Sequence, residues 1–190
     1  MIMRIIRAAR YRSMPWKNGG GTTTEIAVHP EGASMADFDW RVSMAHVGTD
    51  GPFSTFPGIE RTLSVLTGAG ITLAFGDGER VRLDRDSAPY PFAADRPVDG
   101  LLQDGPIDDL NVMTRRGRFA HSVVRLTGQG PHRIAHDGTL LLIAPEGGWR
   151  VDGEPLLPGD AAIGTGSCGA DCLGATGAAA LHVVRLTPAA

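Results

Sequence analysis

Short strand-like runs separated by glycine-rich turns are the feature that most limits the fold of this chain. Polar and apolar residues alternate in residues 40–47 and 79–84, which is the period of a β-strand with one face in the core. Glycine supplies 26 of the 190 residues, about twice its usual share, and it is dispersed. Because dispersed glycine between short β-branched runs indicates many tight turns and helical periodicity is nearly absent, the sequence predicts an all-β fold.

The strand pattern predicts an antiparallel sandwich or barrel built from two related β-units. Asp77-Gly78 and Asp152-Gly153 predict hairpin turns, and Pro158-Gly159-Asp160 predicts a turn entering a jelly-roll strand. Residues 85–105 are rich in Pro, Asp and Gly and predict a long connection. The predicted strands cover residues 4–11, 22–28, 40–47, 61–66, 70–75, 79–84, 110–114, 119–126, 139–144, 149–151, 161–164 and 181–186.

Composition excludes several classes of partner. The formal net charge is -3 and the basic residues are scattered, so we expect no nucleic-acid partner. No apolar run is long enough for a membrane span, and the apolar part of residues 1–7 is too short for a signal peptide. We therefore expect a soluble, cytoplasmic protein, whose length suffices for a core without disulfides or metals as staples.

Metal and nucleophile patterns are weak. The sequence contains no HxH motif, and His132 and His136 are four residues apart without a helix to align them. Cys168 and Cys172 fall in a predicted glycine-rich loop and lack a second pair of ligands for zinc, so we interpret them as ordinary reduced thiols. No GxSxG elbow surrounds a serine. We predict no metal and no cofactor.

A first candidate site lies in residues 16–25. Consecutive glycines at 19–21 allow backbone N–H groups to approach an anion closely. Lys17 supplies a positive charge and Asn18 both a donor and an acceptor, but the order of a P-loop is missing. The alternative is a glycine-rich turn that leads into an edge strand, with Trp16 serving only packing.

A second candidate site lies in residues 108–116. In an extended strand Asp109, Asn111, Met113 and Arg115 share one face, and this mixture does not resemble a dry core. Arg115 offers a bidentate fork for a carboxylate, while Asp109 can hold an ammonium or amide group or orient that arginine. The alternative is a solvent-exposed strand face.

Two further arginines follow the same reasoning. Arg41 and Ser43 share a strand face, and Arg61 precedes an apolar run, which places it at the rim of a predicted barrel. Together with Arg115 they suit an anionic ligand, although each arginine alone is more often a surface residue.

Three ordered motifs in this sequence resemble the HutD/Ves family. They are MPWKNGGG at residues 14–21, GPFSTFPGIERTL at residues 51–63, and a Gly-Pro pair followed by DLNVMTRRG at residues 105–117. The resemblance covers roughly residues 1–126 and implies a bicupin, in which two cupin-like antiparallel β-barrels or sandwiches pack together without the usual metal ligands. We expect one compact unit over residues 1–190, with approximate halves at 1–105 and 106–190.

The resemblance also implies a function. Family members are thought to limit expression of bacterial histidine utilisation by binding a pathway metabolite, and urocanate and formylglutamate are the proposed ligand types. Both carry carboxylates, which suits the basic residues named above. Thr24 stands where many relatives are expected to have a basic residue, and this difference alters ligand choice if the position faces the pocket.

Our hypothesis is therefore a metal-independent binding protein, rather than an enzyme, that modulates histidine utilisation through a small carboxylate metabolite. We expect the ligand carboxylate to be bound by Lys17, Arg41, Arg61 and Arg115. The groups expected to orient the ligand by hydrogen bonds are Asn18, Ser43, Asp109 and Asn111. The apolar wall of the site is expected to consist of Trp16, Phe53 and Met113. One alternative is an enzyme acting on a small formyl or amide compound, with Asp109 or Glu25 as general base and Lys17 as electrostatic stabiliser. A module that binds a protein partner is another, and homodimer formation is left open.

Overall fold

The computed structural model describes residues 3–177 and 179–189, and the chain divides into two compact units. The central unit comprises residues 12–119, and the terminal unit combines the residues up to Tyr11 with those from Ala120 onward. This division differs from the expected halves at 105/106. The first strand pairs within the terminal unit, whereas residues 107–115 form an inner strand of the central unit.

The elements are almost all β-strands, so the all-β prediction is confirmed. Their bounds are β1 Arg4–Ile6, a 3-10 helix Ala8–Arg10, β2 Arg12–Pro15, β3 Gly21–His29, β4 Trp40–Val47, β5 Gly51–Pro52, β6 Ile59–Thr67, β7 Ile71–Phe75, β8 Arg80–Leu83, β9 Tyr90–Ala93, β10 Val98–Leu102, β11 Ile107–Arg115, β12 Phe119–Leu126, β13 Gly130–Ile143, β14 Trp149–Val151, β15 Glu154–Leu156, β16 Ala161–Gly174 and β17 Leu181–Pro188.

The central unit contains two antiparallel sheets. One has six strands in the order β2-β3-β4-β11-β6-β9, and the other has four in the order β5-β10-β7-β8. The turn at residues 68–70 carries the chain from β6 in the first sheet to β7 in the second. Leu63 and Val65 on β6 share a buried core cluster with Ile71 and Leu73 on β7, so the core of this unit lies between the two sheets.

The terminal unit is built on a sheet with the strand order β12-β17-β13-β16-β14-β15, and β1 pairs with β16. Strands β13 and β16 pair along 14 residues each. Asp152 and Gly153 form the hairpin turn between β14 and β15, with φ of 50° and 84°. The positive φ of both residues is the geometry that the Asp-Gly pair predicted.

Two predicted connections proved to contain strands. Residues 85–105 include β9 and β10. Pro91 lies in β9, an edge strand, where the missing N–H removes no inner ladder bond. Strand β16 continues to Gly174 rather than ending at residue 164, so Cys168 and Cys172 lie in a strand and not in a loop. Both thiols are free and buried.

The N-terminal prediction also requires correction. Residues 4–11 do not form one strand: β1 ends at Ile6, and a 3-10 helix follows over Ala8–Arg10. Asp160 explains this change of direction, since its Oδ1 accepts from the Ala8 N–H at 2.8 Å and its Oδ2 accepts from Arg7 at 2.6 Å.

None of the helices in residues 3–177 and 179–189 combines the length and the apolar character that crossing a membrane requires.

Candidate functional site

The inward face of the six-stranded sheet carries a group of buried polar side chains. Strand β11 is flanked by β4 and β6, so that Asn111 lies opposite Ser43, and Met113 lies opposite both Arg41 and Arg61. Met113 belongs to a buried apolar cluster, which shows that this face points into the unit. The predicted strand face of Asp109, Asn111 and Met113 is therefore confirmed.

Arg61, Asn111 and Asp109 form a continuous hydrogen-bonded chain. The Arg61 guanidinium donates twice to the Asn111 amide oxygen, from Nε at 2.8 Å and from Nη2, and Asn111 Nδ2 donates to Asp109 Oδ1. All three residues are buried, Asp109 with an exposure of 1%. Asp109 Oδ2 is buried and has no hydrogen-bond partner among the described residues, so the hydrogen-bonding capacity of this oxygen is not satisfied by them.

Arg41 is held in a different way. Its Nε donates to Glu25 Oε2 at 2.8 Å, and its Nη1 donates to Ser43 Oγ at 3.4 Å. Glu25 thus balances the charge of Arg41. Within the described ranges Arg61 has no salt bridge with a carboxylate, and its fork is occupied by a neutral amide instead. The positive charge of Arg61 is therefore not compensated by direct contact.

Burial shifts the pKa values of Asp109 and Arg61. Burial raises the pKa of Asp109 to about 7, against the opposing effects of the Arg61 charge and the Asn111 hydrogen bond. Burial likewise lowers the pKa of Arg61 to about 10; the Asp109 charge opposes this, and the like charge of Arg41 adds to it. Consequently Arg61 stays protonated near neutral pH, while Asp109 changes its charge there.

Aromatic rings enclose the guanidinium of Arg61. Its Cζ lies 4.7 Å from the centroid of the Phe53 ring and 5.6 Å from that of Phe92, within the range of a cation–π contact. The position of Phe53 depends on Gly100, because a Cβ there would lie 2.7 Å from Phe53 Cε1. The absent side chain of Gly100 thus lets the ring reach the arginine.

The glycine-rich segment has a mainly local role. The N–H of Gly19 donates to the Trp16 carbonyl at 3.0 Å, and the N–H of Gly20 donates to Asn18 Oδ1 at 3.0 Å. Two of the N–H groups expected to face an anion are therefore used within the turn. Lys17 is exposed, whereas Trp16 is partly buried and packs against the same core cluster as Phe53.

Arg115 and Lys17 do not meet. The Arg115 guanidinium donates to the backbone carbonyls of Phe38 at 3.1 Å and Ala36 at 2.8 Å. Lys17 belongs to the turn before Gly21, which pairs with Val47 at the opposite end of the sheet. Since eight strand residues separate these ends of β11, the distance is on the order of 26 Å.

The structure thus selects a subset of the predicted site residues. It brings together Arg41, Ser43, Phe53, Arg61, Asp109, Asn111 and Met113, while Trp16 packs against the same core cluster as Phe53, and it keeps Lys17, Asn18 and Arg115 elsewhere. Sequence reasoning assigned no ligand-binding role to Glu25 or Phe92. The strand predicted over residues 22–28 contains Glu25, but it does not indicate which residue this acid contacts.

The interior of the terminal unit is different in character. On β13 and β16, His132 lies opposite Cys172 and His136 lies opposite Cys168. Burial raises the pKa of the Cys172 thiol to about 12, and the charges of Asp152 and Asp171 add to this, so this thiol stays protonated. In the part of the chain that the structure describes, no three His, Cys, Asp or Glu side chains form a metal-ligating group.

Several relatives resemble this chain in sequence, and one of them also in solved structure. Protein Ves of Citrobacter koseri is 35% identical over 153 residues, which cover 78% of this chain and 77% of its own. An uncharacterized 21.2 kDa protein of Pseudomonas putida, named for the hutC 3′ region, is 37% identical over 117 residues, covering 62% of this chain and 60% of its own. The structure of HutD from Pseudomonas fluorescens SBW25 superposes with a TM-score of 0.86 and 30% identity, covering 99% of this chain and 100% of that one.

The wider likeness concerns the fold alone. A bacterial pirin from Escherichia coli superposes with a TM-score of 0.69 at 8% identity, over 100% of both chains, and supports the cupin-like character of the two units.

The HutD family model matches residues 8–181, which extends beyond the motifs that carried the resemblance in the sequence. This chain belongs to the HutD family.

Proposed function

We propose that the central unit binds a small carboxylate metabolite and that this binding modulates histidine utilisation. The main support for the proposal is that Arg61 is buried and that its guanidinium donates to the Asn111 amide rather than to a carboxylate. A buried charge without a counter-ion is costly. An anionic ligand relieves that cost and gains charge-assisted hydrogen bonds.

The neighbouring groups give the ligand a direction. Arg41 is oriented by Glu25 and Ser43 and supplies a second guanidinium from the strand on the other side of β11. Asp109 Oδ2 is an unsatisfied polar atom on the same face. The carboxylate is expected at the arginines, with the rest of the ligand against the apolar side chains of Phe53 and Met113.

The names of the relatives support the metabolic context. The family is named HutD, and the Pseudomonas putida relative is named for the hutC 3′ region. Urocanate and formylglutamate are therefore the first ligands to test, because both carry carboxylates.

Isothermal titration calorimetry with these two compounds tests the proposal. We expect Arg61→Met to weaken binding by roughly 30-fold, which corresponds to the loss of about 2 kcal/mol of charge-assisted hydrogen bonding. Arg80→Met is the matched control, since Arg80 is an exposed residue of β8, and it should leave the affinity unchanged. If neither ligand gives heat at millimolar concentration, carboxylate sensing is refuted.

Asp109 favours a second candidate function, an enzyme acting on a small formyl or amide compound. A buried acid whose pKa is raised to about 7 suits a general base near neutral pH. A turnover assay separates the two functions, because an enzyme depletes formylglutamate and forms a new product. Conversion that persists in Asp109→Asn would remove Asp109 from this role.

A further inference from the structure

Asp109 is a buried acid that is only half satisfied. Its Oδ1 receives the Asn111 amide, but its Oδ2 has no hydrogen-bond partner within the described ranges and the residue is 1% exposed. An unpaired buried oxygen is unfavourable for the ionised acid and also for the neutral acid, whose O–H needs an acceptor. A ligand that supplies an acceptor at Oδ2 therefore satisfies the protonated form.

The charges around Asp109 can be counted from each strand that flanks it. Glu25 of β3 and Arg41 of β4 form a salt bridge and cancel, while Arg61 of β6 adds one positive charge. Strand β9 contributes Phe92 and no charge to this face, and the buried residues of the facing sheet in the shared core cluster, such as Leu73 of β7 and Val98 of β10, are uncharged. The inward face thus carries a net charge of plus one when Asp109 is protonated and zero when it is ionised.

One more acid and a histidine lie nearby on the opposite strand face. Asp108 precedes Asp109 on β11, and its Oδ1 lies 2.9 Å from Nδ1 of His46 on β4. Asp108 also accepts from Thr67 at 2.7 Å. Both side chains of the His46–Asp108 pair are about half exposed, so water screens them, although the charge of Asp108 still disfavours ionisation of Asp109.

We propose that binding of a monocarboxylate by this site is coupled to uptake of one proton by Asp109, an inference that rests on the proposed function. The proton passes from solvent to Oδ2, and the resulting O–H donates to an oxygen of the ligand carboxylate, whose negative charge Arg61 balances. Ligand and proton together leave the buried face neutral. Binding the same anion beside an ionised Asp109 would leave a net negative charge in the core.

The proton coupling makes Asp109 a specificity-determining residue. Because burial already places the pKa of Asp109 near neutrality, protonation costs little there, and the charge of the ligand raises this pKa further. A second carboxylate on the ligand would add a negative charge beyond the single positive charge that Arg61 provides. Urocanate is therefore expected to bind more tightly than formylglutamate, which has two carboxylates.

Calorimetry at pH 8 in phosphate and in Tris tests the coupling, because the two buffers differ in ionisation enthalpy and the difference in observed heat counts the protons taken up. We expect uptake of close to one proton per urocanate bound. The Kd should rise towards tenfold for each pH unit above 7. Asp109→Asn should bind without proton uptake and without this pH dependence, while Asp108→Asn, a substitution at the neighbouring half-exposed acid, should keep both.

An infrared measurement on the unmodified protein gives a second readout that needs no variant to fold. The carbonyl stretch of a neutral carboxylic acid should appear when urocanate is added at pH 8. Urocanate binding without proton uptake and without this band overturns the coupling but leaves carboxylate binding intact. Uptake that persists in Asp109→Asn overturns the assignment to Asp109, whereas absence of binding by either compound refutes the proposed function and this inference with it.

Discussion

Replacing Asp109 by asparagine should change how the stability of the protein depends on pH. Folding raises the pKa of this acid from 3.8 to about 7, so the folded state retains its proton at pH values where the unfolded state has lost it. Ionisation therefore opposes folding increasingly as the pH rises through this window, and fully above pH 7. At 1.36 kcal/mol per pKa unit, the accumulated cost is about 4 kcal/mol.

The amide side chain of the Asp109→Asn variant does not titrate, so the variant escapes this cost. Its free energy of unfolding, taken relative to that of the wild type, should rise by about 2.5 kcal/mol between pH 5 and pH 8. This is less than the full cost because part of the cost already accumulates below pH 5. Urea denaturation with linear extrapolation at each pH measures the difference. Other titrating groups, including the buried histidines, are common to both proteins and cancel.

Only the slope of this difference is predicted, because the substitution also changes contacts with Arg61 and Asn111 that do not depend on Asp109 ionisation. A difference that stays constant within about 1 kcal/mol from pH 5 to pH 8 would show that Asp109 ionises near its ordinary pKa. The reasoning from burial would then be refuted.

Three further substitutions have clear expected outcomes. Gly100→Ala should weaken ligand binding severalfold by displacing the Phe53 ring, and it should lower the free energy of unfolding by about 1–3 kcal/mol. The control is Gly51→Ala, at the position paired with Gly100, where no atom lies within 4 Å of an added Cβ. It should leave both the ligand affinity in calorimetric titrations and the stability in thermal unfolding unchanged. His182→Leu should flatten the acid limb of stability, because burial, assisted by a nearby arginine charge, lowers the pKa of His182 to about 4. The wild type then loses up to about 3 kcal/mol of its free energy of unfolding as the pH falls from 6.5 towards 4, since only the unfolded state takes up the proton there. If urea denaturation shows the same loss of stability at low pH in the variant as in the wild type, this explanation is wrong. Asp160→Ala should destabilise by about 3–5 kcal/mol, because it leaves two backbone N–H groups and an arginine without their carboxylate, and a loss below 1 kcal/mol in thermal unfolding would contradict it.

The sequence was sufficient to predict which side chains share one face of a strand, a property called strand parity below. Alternation placed Asp109, Asn111 and Met113 on one face of a strand, and Arg41 and Ser43 on one face of another, and the structure confirms both placements. Parity depends only on the two-residue period of an extended chain. It needs no knowledge of which strands become neighbours.

Features that depend on pairing and on loops were not predictable in this way. Parity placed Arg115 with Asp109, but β11 ends at Arg115, and a loop that parity cannot locate captures its guanidinium through the carbonyls of Ala36 and Phe38. The Glu25–Arg41 salt bridge runs diagonally between β3 and β4, beside a register shift between Glu25 and Ala27. Such an irregularity leaves little signal in a single sequence.

The position of Asn111 between Arg61 and Asp109 explains why the site is expected to bind an anion together with a proton. A direct Arg61–Asp109 salt bridge would hold the acid ionised and leave the face neutral before any ligand arrived. The amide instead accepts from the arginine and donates to the acid, so both groups keep one hydrogen-bonded partner while their charges stay apart. Arg61 therefore remains a cation without a contacting counter-ion, and Asp109 remains a weak acid. An anion that brings a proton with it satisfies both requirements at once, which a neutral ligand or a cation does not.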